Sequence, residues 1–186
     1  MDPDRSIRRL VPSDAFVHRA LRIEAIVTTP YTFAEEVSRA MARTAVEHAL
    51  ALSPTAETST FGAFDGDVLV GMAALTQKRA PFDHIAKMSS VFLKESHRGS
   101  GLAADLVATV ERVAGERGIG RLTLAVAVQN DAARRFYDRM GYVPYGVEPC
   151  AMRLEGKFVD EELRSKFLVV PDASVRILLP VAAAAR

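Results

Sequence analysis

The sequence predicts a mixed α/β (α+β) domain: a central, mostly antiparallel sheet of about seven strands flanked by helices. Three observations predict it. Two strand-like runs, 58–64 and 68–76, flank Asp65-Gly66-Asp67, a strong hairpin signal. A third run, 86–93, enters a glycine-punctuated turn that opens an amphipathic helix, and 121–128 then alternates as a strand. Hairpins thus sit beside one strand–helix–strand crossover, which differs from the regular alternation of a dinucleotide-binding fold.

Each element follows in order. Residues 6–10 alternate as a short strand. Val11-Pro12-Ser13-Asp14 is a turn in which Ser13 or Asp14 caps a helix running to about Val27, and Thr28-Thr29-Pro30 ends it. One helix is expected over 33–52, with Val37, Met41, Ala45 and Ala49 at helical spacing and Ser53-Pro54 as the stop. After the three strands, Leu102, Leu106, Val110 and Val113 form the apolar stripe of a long helix that Gly118-Ile119-Gly120 closes. In 121–128, Leu122, Leu124, Val126 and Val128 alternate with Thr123, Ala125 and Ala127. Asn130 or Asp131 caps a short helix through Met140, which Gly141 ends. Residues 142–145 form a strand interrupted by Pro144, and two more strands are expected at 150–154 and 159–168. Residues 1–170 are expected to be a single domain. Residues 171–186 are an extension or tail whose apolar run, 175–181, either pairs with a sheet edge, docks, or stays disordered.

Composition narrows the function. The chain has 186 residues, 49% hydrophobic, with 24 Lys+Arg against 23 Asp+Glu. It is long enough for a real core and too apolar for wholesale disorder. The balanced charge argues against nucleic-acid binding through bulk electrostatics. No run approaches the ~20 apolar residues of a membrane span, and the charged start lacks the apolar segment of a secretory signal. A single cysteine, Cys150, excludes an internal disulfide and a multi-cysteine zinc cage, and no metal is expected. The expectation is a soluble cytoplasmic protein.

The central chemical signal is Val91-Phe92-Leu93-Lys94-Glu95-Ser96-His97-Arg98-Gly99-Ser100-Gly101-Leu102-Ala103. Glycines let backbone approach a ligand, and successive N–H groups at a helix start suit phosphate. Arg98 adds a cation. A P-loop would need Lys and then Ser or Thr where Leu102 and Ala103 stand, and a dinucleotide loop would need a third glycine at Ala104.

Arg98-x-x-Gly101-x-Ala103 resembles the coenzyme A pyrophosphate loop, Gln/Arg-x-x-Gly-x-Gly/Ala, of the GNAT superfamily of N-acetyltransferases. Asn130-Asp131-Ala132-Ala133-Arg134-Arg135-Phe136-Tyr137-Asp138-Arg139-Met140-Gly141-Tyr142 is similar to that family's Asn-x-x-Ala-x-x-x-Tyr-x-x-x-Gly-Phe/Tyr segment. The two matches come in the right order, and the resemblance covers about residues 58–146.

The resemblance implies a GNAT-like sheet and transfer of an acetyl group from acetyl-CoA to a primary amine of a small molecule or peptide by direct attack. It implies that the backbone of Val91, Phe92 and Leu93 bonds the pantetheine arm. The turn of Arg98, Gly99, Ser100, Gly101, Leu102 and Ala103 holds the pyrophosphate, and Asn130 also contacts the cofactor. Tyr137 takes the family's tyrosine position, protonating the departing thiolate or hydrogen-bonding to it. Many relatives pair through C-terminal strands, so a homodimer is an expectation to which the 175–181 run lends support.

The sequence departs from the family where a general base is often found: Lys87 and Ala125 stand in place of strand carboxylates. The base is left open among Glu148, Glu35, Glu36, His84 and a water chain. Lys87 fits an anionic substrate or a pairing acid. Asp160-Glu161-Glu162 is read as a solvated face, Cys150 as a buried strand residue, and Phe61, Phe64, Phe82 and Phe92 as core or site walls. The alternatives to catalysis are a non-catalytic acyl-CoA binding or sensing domain, which the missing carboxylates favour, and a phosphate-ligand site at the same loop.

Overall fold

A computed structural model describes residues 4–30, 33, 37–53, 55, 57–154 and 156–169. Its seven-stranded sheet has the order β1-β2-β3-β4-β5-β7-β6. The strands are β1 (Arg5–Arg9), β2 (Thr58–Asp65), β3 (Val68–Gln77), β4 (Ile85–Leu93), β5 (Arg121–Ala127), β6 (Val143–Leu154) and β7 (Lys157–Phe167). The helices are α1 (Ala15–Thr28), α2 (Val37–Ala42), α3 (Ala45–Leu52), α4 (Leu102–Glu116) and α5 (Asp131–Arg139). All neighbouring strands pair antiparallel except β4 and β5, the parallel pair that α4 bridges.

Two apolar layers cover the sheet. Leu102, Leu106, Val107, Val110 and Ala114 of α4 pack on Ala73, Leu75, Met88, Leu122 and Leu124. Leu21, Ala25 and Ile26 of α1, with Ala40 and Leu52, pack on Phe64, Leu69, Met72 and Phe92. Strand side chains alternate between faces. Thus Leu122, Leu124 and Val126 point into the α4–α5 layer, and Thr123, Ala125 and Ala127 point to the side where α1–α3 lie.

The expected hairpin at Gly66-Asp67 forms, with Gly66 at φ 54°. Five expectations are corrected. The helix expected over 33–52 is two helices, because Thr44 starts a new one. Its hydroxyl accepts from the Glu47 N–H at 3.2 Å and the Glu47 carboxylate accepts from the Thr44 N–H at 2.7 Å. The expected stripe is not the buried one: Val37 and Met41 are exposed, while Ala40, His48 and Leu52 face inward. The strands expected at 142–145 and 150–154 are one strand, β6, whose register against β7 shifts at Pro144/Gly146 and Glu148/Met152. Bulges absorb the proline and the extra residues without ending the strand. Cys150, expected to be buried, is exposed at a positive φ of 53° in the second irregularity, and Phe82 is exposed rather than a wall. The expected tail, 171–186, lies outside the described residues.

Candidate active site

The site begins with a pairing failure. β4 and β5 run in register only over Ile85↔Arg121, Ala86↔Leu122 and Lys87↔Thr123. Beyond Lys87 the strands diverge, so the edge of β4 toward Leu93 has no β5 partner. A register shift against β3 between Met72 and Ala74, with Ser90 at φ 53°, marks a bulge there. The divergence opens a cavity of about 1080 Å³ that reaches both faces of the sheet and is lined by Ser89 to Leu93 on one wall and Leu124 to Ala127 on the other.

On the α4–α5 face the cavity meets the glycine turn. Gly99 and Gly101 have φ of 74° and 84°, and Gly101 is the N-cap of α4. An added Cβ at either glycine would meet nothing within 4 Å, so the turn borders open space. Ser100 stiffens it by donating its hydroxyl to the His97 carbonyl at 2.6 Å. Arg98, Gly99 and Ala103 line the cavity and Ser100 and Gly101 do not, whereas the Leu102 side chain is core and its backbone N–H donates to Ser100 Oγ at 3.4 Å.

Asn130, at the start of α5, also lines the cavity and caps the helix, its amide oxygen accepting from the Ala133 N–H at 3.1 Å. One helical stretch later Tyr137 reaches the same cavity. It is buried, with edge-on ring contacts to Phe136 at 5.2 Å and Tyr142 at 5.7 Å. Burial pushes its phenol well above the ordinary tyrosine range, opposed weakly by Arg164. Tyr137 is therefore a protonated hydrogen-bond donor at any physiological pH.

α5 packs Tyr137, its one buried residue, into the α4 core with Ala133 and Phe136 beside it, and an ionic network adds to that packing. Arg164 of β7, 3% exposed, bonds the Glu162 carboxylate and donates to Asp138 Oδ1 at 2.6 Å and to the Arg134 and Tyr142 carbonyls at 3.2 and 3.3 Å. Arg134 returns to Glu162 at 3.0 Å. The helix that carries Tyr137 is thereby tied to β7.

On the opposite face stand the residues that sequence reasoning left unassigned. Adjacent strand residues point to opposite faces, so Glu162 joins the α5 network while Glu161 lines the cavity. Glu161 sits opposite Ala127 of β5 and opposite Glu148 of β6. Partial burial raises its pKa above the ordinary carboxylate value; Glu148 pushes the same way and Lys87 opposes. The Asp160-Glu161-Glu162 run is thus not a uniformly solvated face: Glu162 is buried, Glu161 half-buried, and Asp160 accepts from the Cys150 N–H at 2.8 Å. Period-two alternation was the available signal, but the register that aims Glu161 at the cavity depends on two irregular pairings. Lys87 and Ala125 line the cavity too, whereas Glu148 and His84 are exposed strand and turn residues that do not. Glu35 and Glu36 lie outside the described residues. No group of three or more His, Cys, Asp or Glu with metal-site geometry occurs among the described residues. None of the described helices is long and apolar enough to cross a membrane.

Residues 21–142 match the model of the acetyltransferase (GNAT) family. No curated protein sequence matches the chain. Among solved structures, a GNAT-family acetyltransferase from Streptococcus pneumoniae shares 25% identity at a TM-score of 0.79, covering 88% of this chain and 99% of that one. An acetyltransferase structure from Salmonella typhimurium with its cofactor acetyl-CoA shares 18% at a TM-score of 0.68, covering 91% and 99%. A ribosomal L7/L12 alpha-N-protein acetyltransferase in complex with coenzyme A shares 16% at a TM-score of 0.75, covering 89% and 95%. The last two, at such identities, speak for the fold alone.

Proposed function

The chain belongs to the GNAT acetyltransferase family, and from that premise we propose that it moves an acetyl group from acetyl-CoA to a primary amine, with Tyr137 and Glu161 on either side of the reacting atoms. The observation that carries the reading is the divergence of β4 from β5. It leaves backbone donors and acceptors exposed beside a glycine turn at one end and a buried phenol at the other.

The residues fit acetyl-CoA as the family uses it. The bared edge at Val91, Phe92 and Leu93 offers amide partners to an amide-bearing arm. Gly99, Ser100, Gly101 and Ala103 offer backbone N–H groups to a pyrophosphate and Arg98 its cation, while the Arg98 N–H is donated to the Glu95 carbonyl at 3.1 Å and the Leu102 N–H to Ser100 Oγ at 3.4 Å. The space beside both glycines admits such a group without a Cβ in the way. Asn130 lends its amide from the α5 start. The thioester supplies an activated acyl carbon and a good leaving group.

The amine nitrogen attacks that carbon, the N–C bond forms and the C–S bond breaks. Glu161 takes the proton the amine must lose, directly or through one water. A raised pKa makes it a better proton acceptor than an ordinary carboxylate, at the cost of ionising later. Tyr137 donates a hydrogen bond to the departing sulfur. A phenol held above its ordinary value gives up its proton less readily than a thiol of pKa about 8.5, so donation without full transfer is the role its environment favours. Lys87 keeps the positive potential on the acceptor side and limits the rise at Glu161.

The test is calorimetric titration with acetyl-CoA of the wild type and of Gly99→Asp. Aspartate tolerates the positive φ better than most side chains and sets a negative charge in the turn. Micromolar binding is expected for the wild type, with at least a tenfold loss in the variant at nearly unchanged melting temperature. Wild type that folds and does not bind would reject the reading. Tyr137→Phe is expected to lower kcat by about a hundredfold, the lower end for acid–base groups, with acetyl-CoA affinity retained.

A further inference from the structure

Lys87 stands at the closed end of the gap between β4 and β5. It forms the last register pair before the strands part, opposite Thr123. Its neighbour Met88 belongs to the α4 core. Strand alternation therefore turns Lys87 to the other face, where Ala125, Ala127 and Glu161 line the same cavity. The chain has five lysines, all among the described residues. Lys94 is paired with Glu24 at 3.0 Å and Lys166 with Glu111 at 2.8 Å. Lys78 lies between β3 and β4 beside Phe82, and Lys157 opens β7. Lys87 alone of the five lines the cavity, and it is exposed.

The direction of the cofactor brings its acyl group toward this amine. The glycine turn, where the pyrophosphate is expected, follows the Leu93 end of β4. An arm that bonds Leu93, Phe92 and Val91 in turn runs back along the strand, so its acyl end points to the closed end of the gap. The two steps from Lys87 to Ser89 cover ~7 Å, about the reach of a lysine's flexible four-carbon stem. The Lys87 amine can thus reach the level of the β4 bulge at Ser90, beside Val91. Glu161 is within range of the same amine. Burial raises the Glu161 pKa, Lys87 opposes that rise and Glu148 adds to it, so the ammonium and the carboxylate sense each other.

Resting on the acetyltransferase reading, we propose that Lys87 is a self-acetylation site: with no acceptor amine present, its Nζ attacks the bound thioester and Glu161 takes the proton. The ammonium first loses one proton to water. The Nζ–C bond then forms, the C–S bond breaks, the second proton passes to Glu161 and on to water, and coenzyme A leaves as the thiolate. The product is a neutral amide. It removes the cation that restrains Glu161 and lengthens a side chain that already faces the acceptor's space. The chain thus marks itself when acetyl-CoA is at hand and acceptor is not.

The experiment is incubation of the full chain with acetyl-CoA and no added amine, followed by intact-protein mass measurement and peptide mapping. One acetyl group is expected at Lys87, arriving about ten times faster or more than at Lys78 or Lys157. Those two are also exposed and report unassisted chemical acetylation. The first-order rate should not change on dilution of the protein, because nucleophile and bound donor share one chain. In Glu161→Gln the Lys87 rate should fall by about tenfold or more, while the rates at Lys78 and Lys157 hold. Lys87→Arg should keep its melting temperature and show only the slow background at the other lysines. A Lys87 rate no faster than that of Lys78 and Lys157, one that scales with protein concentration, or one unmoved in Glu161→Gln would overturn the proposal. Calorimetric titration of the same preparation with acetyl-CoA separates two failures. Binding without acetylation of Lys87 rejects self-acetylation alone, and absence of binding rejects the acetyl-transfer reading with it.

Discussion

Glu161 must be ionised to accept a proton, and its pKa is raised. The rate should therefore climb with pH along a limb displaced upward from the usual carboxylate region. Glu161→Gln is expected to lower kcat/KM by about a hundredfold or more and to remove that limb, leaving only the ionisation of the acceptor. A pH–rate profile that keeps the limb in the variant would assign the base elsewhere. His18 makes a different prediction, about stability. Its pKa is about 4 in the folded chain against 6.5 when unperturbed. Above pH 6.5 it is neutral in both states and costs nothing. As pH falls from 6.5 toward 4 the unfolded chain takes up a proton that the folded chain refuses, and stability drops by up to ~3 kcal/mol before levelling off. Urea melts across this window should show the loss, and His18→Gln should flatten it. At this scale the sequence was informative where spacing is local: Asn130, Tyr137 and, from the glycine turn, Arg98, Gly99 and Ala103 line one cavity. It was uninformative for Glu161, because three consecutive acids look alike until strand register separates their faces.

Elements show the same division. The Gly66 hairpin, the Gly101 start of α4 and the Asn130 cap of α5 follow from chemistry within a few residues. The break between α2 and α3 was also local, since Thr44-x-x-Glu47 is a capping box, yet a continuous-looking apolar stripe outweighed it. The continuity of β6 was beyond local signals: Pro144 marks an ending unless β7 supplies the partner that carries the strand past it. α5 carries Tyr137, on which the proposed mechanism leans, and Arg164 ties it to β7. Arg164→Ala would leave the buried Glu162 carboxylate with Arg134 alone, so the loss should stay below the about 3–5 kcal/mol that an uncompensated buried charge costs. The variant should melt lower. At temperatures where it stays folded, it should also lose kcat more than acetyl-CoA affinity, because Tyr137 is released while the α4 turn is untouched. Equal loss in both parameters would mean that the network serves stability alone.

For the molecule as a whole, three register pairs between β4 and β5 join a four-stranded half to a three-stranded one. A ligand that bonds the bared edge binds only the folded chain, so it stabilises by mass action, about 2.7 kcal/mol at a hundredfold excess over Kd. Saturating acetyl-CoA should raise the melting temperature by several degrees, about 2–4 °C per kcal/mol for chains of this size. It should also slow amide exchange in 88–93 more than in β2 or β3. Uniform slowing across the sheet would point to global stabilisation without edge pairing.

That seam makes the sheet a clasp rather than a slab. An ordinary sheet draws its cohesion from its own chain. On the proposed binding mode this one borrows a rung from the molecule it processes, so loading should stiffen it and emptying slacken it. The proposed catalytic cycle would then also be a cycle of tension across β4 and β5, and the ease with which the clasp relaxes would bound how quickly the spent carrier departs.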